Sequence, residues 1–334
     1  MKRHSSSKRF VVGVDLGGAK ILAAVFDDQH RLVAREKKGT RPDLGPEAVV
    51  ERTAECVNEA LAAAALPHTA VAAVGVGVPG LIDTRRGVVL VAPNLHWRDV
   101  PFAKSLSKRL HIPVTVVNDV QAGTMAVQQF GAGRGLKDFA CMFIGTGIGG
   151  GLVFRGEQYR GAGGMGGEIG HMVVVAHFGP KCGCGNRGCL ETVASRSAIV
   201  RRIIKAMDDG QKSIVRTLCD GDTSRIRSRI LAEAYRQEDK LVREVIHDAC
   251  HYIGIGAANL INVLNPQAVI LGGGLIEALG SRMLPRITKA AFAHTIAASD
   301  ERVKILDSGL GDDAGILGGG LAARALVKSS PASG

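Results

Sequence analysis

The sequence predicts an α/β protein built from two related domains, each with a glycine-rich hairpin. The chain has 334 residues, enough for two domains with a large buried core. Residues 11–28 (VVGVDLGGAKILAAVFDD) and 140–157 (ACMFIGTGIGGGLVFRGE) both contain an apolar strand, a glycine-rich turn and a second apolar strand, the pattern of a β-hairpin. Two copies about 130 residues apart indicate an internal duplication, with phosphates held between the related domains.

The composition is that of a soluble globular protein. Hydrophobic residues make up 46% and charged residues 22%, and aromatic residues only 4%, so an aliphatic core is expected. No apolar run reaches the roughly 18 residues of a transmembrane helix, so we expect no membrane partner. Seven irregularly spaced cysteines argue against a disulfide framework and predict a cytoplasmic location. Residues 1–9 are expected to form a disordered tail.

The net charge of +11 lies largely in the first residues and between Arg196 and Arg236. We interpret that second region as helices with exposed basic faces, in preference to a polyanion-binding site, because charge alone does not define a site. No aromatic residues are interleaved with these basic residues, so no nucleic-acid partner is expected.

A metal site is indicated by E-I-G-H at 168–171, followed after ten residues by C-G-C-G-N-R-G-C-L-E. One imidazole and three thiols form a standard tetrahedral ligand set for structural Zn²⁺. The sequence therefore predicts a zinc site that fixes the neighbouring carboxylates of Glu168 and Glu191. Its expected ligands are His171, Cys182, Cys184 and Cys189.

The glycine clusters predict phosphate contacts, because glycines let backbone N–H groups approach an anion closely. Asp15 would position Mg²⁺, and the Thr146 hydroxyl would bind a phosphate oxygen. Lys20 is either a phosphate contact or a solvated strand residue. A third cluster, VILGGGLIE, joins an apolar strand to a helix, an arrangement typical of nucleotide sites, whereas a fourth, at 311–323, is expected to be a helix packed tightly on a sheet. The expected nucleotide contacts are Asp15, Gly17, Gly18, Lys20, Gly145, Thr146, Gly147, Gly272, Gly273 and Gly274.

A candidate general base ends the apolar segment IPVTVVNDV. Asn118-Asp119 is a common turn pair, but it follows a strand, and ligands gather at the carboxyl ends of strands in α/β sheets. Asp119 would accept the proton of a sugar hydroxyl that attacks a γ-phosphate. Asn94 is either a turn residue or a ligand to sugar hydroxyls. The expected sugar contacts are Gly80, Asn94, Asn118, Asp119, Glu168, His171 and Glu191.

In combination and order, these motifs resemble the ROK family of repressors, open reading frames and sugar kinases. D-L-G-G-A-K is similar to its phosphate loop, E-I-G-H to its E-x-G-H motif and C-G-C-G-N-R-G-C-L-E to its zinc motif. N-D at 118–119, I-G-T-G-I-G-G-G at 144–151 and L-G-G-G at 271–274 also follow the family order, and the resemblance extends from about residue 10 to about residue 325. A-P-N-L-H-W and C-L-E-T-V-A-S are most similar to the bacterial glucokinase branch.

The resemblance implies an actin-like ATPase (ribonuclease H-like) fold, duplicated, with two domains and an interdomain cleft. The expected domains are a small α/β domain at 10–120, joined by a C-terminal helix at 314–330, and a large one at 121–313 with the zinc site. About ten residues precede the phosphate loop, too few for the DNA-binding domain of the regulatory members, so a repressor is not expected. The family commonly forms homodimers or homotetramers.

The implied activity is phosphorylation of the glucose 6-hydroxyl by ATP and Mg²⁺, with Asp119 as the base and a structural Zn²⁺. The alternatives are other sugars (N-acetylmannosamine, N-acetylglucosamine, fructose or allose), polyphosphate as donor, and a non-catalytic sugar sensor.

Two departures from the family pattern affect these expectations. Ala19 replaces the usual threonine, and V-Q-A-G follows Asp119 in place of A-N-A-A. A lost hydrogen bond to an anion costs about 1.5–3 kcal/mol, unless water or Thr146 substitutes. We also expect Cys184→Ser to weaken sugar affinity more than ATP affinity, because the glycine loops are taken to be distant from the zinc site.

Overall fold

The computed structural model describes residues 10–296 and 302–329. The chain divides into two units, Met1–Ala126 with Asp313–Gly334 (unit 1) and Val127–Asp312 (unit 2). The predicted tail at 1–9 and position 330 of the predicted C-terminal helix lie outside the described residues.

In its described residues, unit 1 contains a five-stranded sheet, a three-stranded sheet and four α-helices. The strands are β1 (Phe10–Leu16), β2 (Lys20–Phe26), β3 (Leu32–Gly39), β4 (Val71–Val78), β5 (Leu81–Asp83), β6 (Val88–Ala92), β7 (Trp97–Val100) and β8 (Val114–Asn118). The helices are α1 (Pro46–Ala63), α2 (Phe102–Leu110), α3 (Asp119–Phe130), which continues into unit 2, and α10 (Ala314–Ser329).

The large sheet of unit 1 has the order β3-β2-β1-β4-β8. β1 and β2 form the first predicted hairpin, with Val12 opposite Val25, and β1, β4 and β8 are parallel. Because successive side chains of a strand point to opposite faces, Val12 and Val14 pack into a core with α1 and α2, while Val11 packs with α10. Burial on both faces explains the unbroken apolar run of β4, VAAVGVGV.

Helix α10 packs very closely on this sheet, as predicted for the fourth glycine cluster. A Cβ on Gly75 of β4 would lie 2.0 Å from the carbonyl oxygen of Gly319, and one on Gly13 of β1 would lie 1.9 Å from that of Ile316. Glycine on both elements lets backbone contact backbone, so this prediction is confirmed.

Unit 2 repeats the same sheet and adds more helices. Its strands are β9 (Phe139–Ile144), β10 (Ile148–Phe154), β11 (Glu157–Tyr159), β12 (Ala268–Gly272) and β13 (Lys304–Asp307). Its helices are α4 (Leu190–Ala194), α5 (Arg196–Asp208), α6 (Val215–Leu218), α7 (Ser228–Arg236), α8 (Lys240–Leu264) and α9 (Gly274–Phe292).

The order β11-β10-β9-β12-β13 matches that of unit 1, with an antiparallel meander followed by two parallel strands. β9 and β10 form the second predicted hairpin, so the internal duplication is confirmed. One face of this sheet packs on the largest apolar core, formed mainly with α4, α5 and α7–α9. In the described part of the chain, no helix is both long and apolar enough to span a membrane.

Candidate functional site

The four predicted zinc ligands come together in unit 2. Their ligand atoms all lie within 4.8 Å of one another. His171 Nδ1 is 3.6 Å from Cys182 Sγ, and the Sγ atoms of Cys184 and Cys189 are 3.8 Å apart. A tetrahedral Zn²⁺ with bonds of about 2.3 Å to sulfur and about 2.0–2.1 Å to nitrogen holds its donors roughly 3.5–3.8 Å apart. The donor set and its spacing therefore fit zinc.

The protonation of these thiols reflects their surroundings. A hydrogen bond from the Asn186 backbone amide is the main cause that lowers the pKa of the exposed Cys184 thiol, whereas burial raises the pKa of Cys189 to about 12. A bound metal would hold both as thiolates, so its binding would release protons. The second ring nitrogen of His171, Nε2, lies 4.0 Å from Glu168 Oε2.

Glu191 lies in the first turn of α4, two residues after Cys189, and its carboxylate contacts the glycine hairpin of unit 2. Its Oε2 accepts a hydrogen bond of 2.8 Å from the Ile148 backbone N–H. A Cβ on Gly147 would lie 2.2 Å from the same oxygen, so only glycine leaves room for the carboxylate there. One glycine loop is thus next to the zinc cluster, and the premise that these loops are distant from it is wrong.

The turn of this hairpin is also held by Arg196, the first residue of α5. The Arg196 backbone N–H donates to the Gly145 carbonyl at 2.9 Å, and its guanidinium donates to the Thr146 hydroxyl. Sequence reasoning missed Arg196, because it assigned the whole basic stretch from Arg196 to Arg236 to solvated helix faces. Its half-buried side chain instead provides a cation at the predicted phosphate contact.

The third glycine cluster lies against the base of the same hairpin. Gly273 has a φ of 88°, and a Cβ there would lie 2.7 Å from both the backbone nitrogen and the carbonyl oxygen of Ile144. Gly273 is the N-cap of α9 and provides no capping side chain, and Gly274 is the first residue of the helix. Gly272 pairs with Phe143 in the parallel β12–β9 ladder. Within unit 2, the structure therefore brings together the predicted nucleotide contacts Gly145–Gly147 and Gly272–Gly274.

The candidate base lies in unit 1. Asp119 is the first residue of α3, directly after β8, and its Oδ1 accepts the Val120 N–H at 2.9 Å. The Asn118 side chain donates to the Gly80 carbonyl at 3.0 Å and accepts the Gln121 N–H at 3.0 Å. Gly80 has a φ of 107°, and a Cβ there would lie 2.1 Å from the Val91 carbonyl oxygen. Gly80, Asn118 and Asp119 thus form one fixed group at the carboxyl end of β8.

The first hairpin of unit 1 carries the other predicted phosphate contacts. The Gly17 N–H donates to the Lys20 carbonyl at 2.9 Å, and a Cβ on Gly18 would lie 3.2 Å from the Asn94 carbonyl oxygen, so Asn94 lies beside this turn. The buried Thr40 braces the turn, because its hydroxyl donates to the Gly17 carbonyl at 2.6 Å and its N–H to that of Ala19 at 3.2 Å. Ala19 itself is exposed.

Asp15 lies on β1 beside the start of α10. A Cβ on Gly315 would lie 2.6 Å from the Asp15 carboxyl carbon, so the helix backbone closely approaches this carboxylate. A half-buried carboxylate beside a glycine turn fits the preference of Mg²⁺ for a few carboxylate oxygens combined with phosphate oxygens.

Comparison with known proteins identifies relatives along almost the whole chain. The model of the ROK family matches residues 11–328. A glucokinase of Thermotoga maritima is 34% identical over 92% of this chain and 95% of its own length. A xylose repressor of Caldicellulosiruptor bescii is 28% identical over 92% of this chain and 76% of its own length.

The fold also matches solved structures. A ROK family glucokinase from Streptomyces griseus, in complex with glucose and AMPPNP, superposes with a TM-score of 0.85 at 33% identity. The match covers 95% of this chain and 99% of that chain. The predicted actin-like ATPase fold, with two mixed α/β sheets and flanking helices, is therefore confirmed.

Proposed function

The chain belongs to the ROK family, and we propose that it transfers the γ-phosphate of ATP to the 6-hydroxyl of glucose. The observation that carries this proposal is the group formed by Gly80, Asn118 and Asp119 at the end of β8, in a chain 34% identical to a glucokinase. A carboxylate at the carboxyl end of a strand, next to a fixed amide, suits recognition and deprotonation of a sugar hydroxyl.

In the proposed reaction, Asp119 accepts the proton of the 6-hydroxyl while the hydroxyl oxygen attacks the γ-phosphorus. The bond from the γ-phosphorus to the β–γ bridging oxygen breaks, and ADP leaves. The proposed sugar contacts are Gly80, Asn94, Asn118, Asp119, Glu168, His171 and Glu191.

The glycine hairpins and the triglycine loop would bind the phosphates through backbone N–H groups. Asp15 would hold Mg²⁺, which neutralises charge on the phosphates when bound. His171, Cys182, Cys184 and Cys189 would hold a structural Zn²⁺, whose role is to fix the segment between Glu168 and Glu191.

The proposal is tested by Asp119→Asn, assayed for glucose-dependent ADP release and for glucose binding by calorimetry. Asparagine keeps the oxygen that accepts the Val120 N–H, so the variant is expected to fold and bind glucose. Loss of a general base lowers kcat by about two to four decades. Asp83→Asn is the matched control, because Asp83 also accepts a backbone N–H in unit 1, from Arg86 at 3.0 Å, and is not part of the proposed site.

Turnover of Asp119→Asn near that of the wild type would contradict the assignment of the base. The choice of sugar needs a separate panel in which glucose competes with fructose, allose, N-acetylglucosamine and N-acetylmannosamine. A higher kcat/KM for any of these would replace glucose as the proposed substrate, and no phosphorylation of any sugar would favour a sensor.

A further inference from the structure

Arg196 occupies a position that is electrostatically unfavourable for a cation. It is the first residue of α5, directly after Ser195, whose hydroxyl accepts the Ala198 N–H at 3.1 Å and caps the helix. The N-terminus of a helix carries a partial positive charge, which favours anions and disfavours an arginine. No acidic residue lies in the first turn of α5 to offset this charge.

A second arginine adds to the unfavourable charge. Burial is the main cause that lowers the pKa of Arg196, and the charge of Arg227 lowers it further. Over residues 10–296 and 302–329, neither guanidinium forms an ion pair with a carboxylate: Arg196 donates to the Thr146 hydroxyl, and Arg227 to the carbonyls of Ser224 and Ile226. Other cations of the same basic stretch, such as Arg202 and Lys205, do pair with aspartates.

A buried hydroxyl without a partner lies nearby. Ser228 follows Arg227 and begins α7, and the residue is only 9% exposed. Its Oγ is buried and has no hydrogen-bond partner among the described residues, and it lies 3.8 Å from the position that a Cβ on Gly274 would occupy, at the N-terminus of α9. The N-terminus of α9 has no side-chain cap, so no capping side chain accepts its first backbone N–H groups. These N–H groups and the Ser228 hydroxyl are therefore next to one another.

We propose that Arg196 and Arg227, with the Ser228 hydroxyl and the N-terminus of α9, bind the phosphate chain of the phosphoryl donor. This inference rests on the proposed function, because it assigns additional residues to the donor side of that reaction. Guanidinium groups bind phosphate oxygens through paired hydrogen bonds, and helix N-termini bind them through backbone N–H groups. An anion there would balance the two cations and satisfy the Ser228 hydroxyl.

The test measures ligand binding directly, by isothermal titration calorimetry without sugar. ATP, ADP, AMP and adenosine are titrated, each with Mg²⁺, into wild type, Arg196→Ala and Arg196→Lys. Loss of a charge-assisted contact is expected to weaken ATP binding about ten- to a hundredfold in Arg196→Ala, with partial recovery in Arg196→Lys. Adenosine affinity should not change, and the loss should shrink from ATP to AMP as phosphates are removed.

Two matched variants separate phosphate binding from a structural role. Arg202→Ala removes a positive charge from the same helix, but this arginine pairs with Asp248, so ATP affinity should stay within about twofold. Thr146→Val removes the hydroxyl that Arg196 holds, itself a predicted phosphate contact, and keeps the cation. If Arg196→Ala causes no further loss of ATP affinity in the Thr146→Val background, or if it weakens adenosine as much as ATP, Arg196 only braces the hairpin and the inference is overturned.

Inorganic tripolyphosphate serves as the second probe, because the chemistry recognised is the phosphate chain and not the base. Arg196-dependent binding of tripolyphosphate supports the site and assigns polyphosphate as a possible donor, whereas Arg196-dependent binding of ATP alone supports it with a nucleotide donor. If Arg196→Ala changes the binding of neither ATP nor tripolyphosphate, the proposed phosphate site is refuted. Because sugar is absent, failure of glucose phosphorylation would contradict the proposed function and leave this result standing.

Discussion

Replacing Gly147 by alanine should move the carboxylate of Glu191 away from the second glycine hairpin. The new Cβ would lie 2.2 Å from Glu191 Oε2, closer than any real contact, and the carboxylate end of a flexible side chain can turn away at little steric cost. This movement would break the hydrogen bond of 2.8 Å from the Ile148 N–H to Glu191 Oε2 and leave the N–H without its acceptor.

An unsatisfied buried donor or a lost hydrogen bond to a charged group costs about 1–3 kcal/mol, so we expect unfolding to become easier by about 2 kcal/mol. If the displaced carboxylate also contacts the sugar, as proposed, glucose affinity should fall by a similar free energy, about thirtyfold. The assays are chemical denaturation for the free energy of unfolding and calorimetry for glucose binding.

Gly145→Ala provides the steric control for this experiment. It adds the same methyl group to the same turn, but among the described residues, apart from Gly145 and its two chain neighbours, no atom lies within 4 Å of the new Cβ, and its backbone is not in the left-handed region. Its free energy of unfolding should stay within about 0.5 kcal/mol of the wild type. Equal stability and equal glucose affinity of the two variants would refute the idea that Gly147 exists to admit Glu191.

Three further predictions follow from other contacts. Cys184→Ser should lower the zinc content, measured by elemental analysis, and should weaken both glucose and ATP binding, because Glu191 joins the metal cluster to the hairpin; a loss confined to glucose would contradict this coupling. Gly75→Ala should destabilise the protein by about 2–4 kcal/mol in denaturation, because its Cβ would lie 2.0 Å from the rigid Gly319 carbonyl; a smaller change would mean that α10 can shift. Burial holds the pKa of His247 below its ordinary value of 6.5, so its contribution to stability is full above pH 6.5 and is lost as the pH falls towards the folded pKa. His247→Gln should flatten the slope of unfolding free energy against pH in this window, and an unchanged slope would exclude the histidine as its source.

Features encoded by local pattern were predictable from the sequence. The two hairpins followed from apolar strands around glycine turns, and the clustering of one histidine with three cysteines followed from the known ligand chemistry of zinc. The tight packing of α10 on a sheet was predictable because its glycines have no side chains that would separate the helix backbone from the strands.

Features that depend on the packing of distant segments were not predictable. Nothing local to Arg196 distinguishes it from the other basic residues of its stretch, and only the fold brings it to Thr146, fifty positions earlier. The sequence predicts Glu191 as a sugar contact, but its hydrogen bond from the Ile148 N–H depends on how α4 packs against the hairpin. The hydrogen bond from the Thr40 hydroxyl to the Gly17 carbonyl was not predictable either, because Thr40 belongs to no motif.

The close packing of α10 on β1 and β4 has a consequence for synthesis of the chain on the ribosome. Along the sequence, all residues of unit 2 come between the two segments of unit 1, so unit 2 can fold before α10 has been made. The sheet of unit 1, by contrast, is complete only when α10 has been made, and α10 begins about 190 residues after residue 126. At a synthesis rate of about 5–20 residues per second, this delay is roughly 10–40 seconds. During that interval α10 does not yet cover the sheet face around Val11 and Phe26, so we expect these apolar side chains to be exposed in the nascent chain.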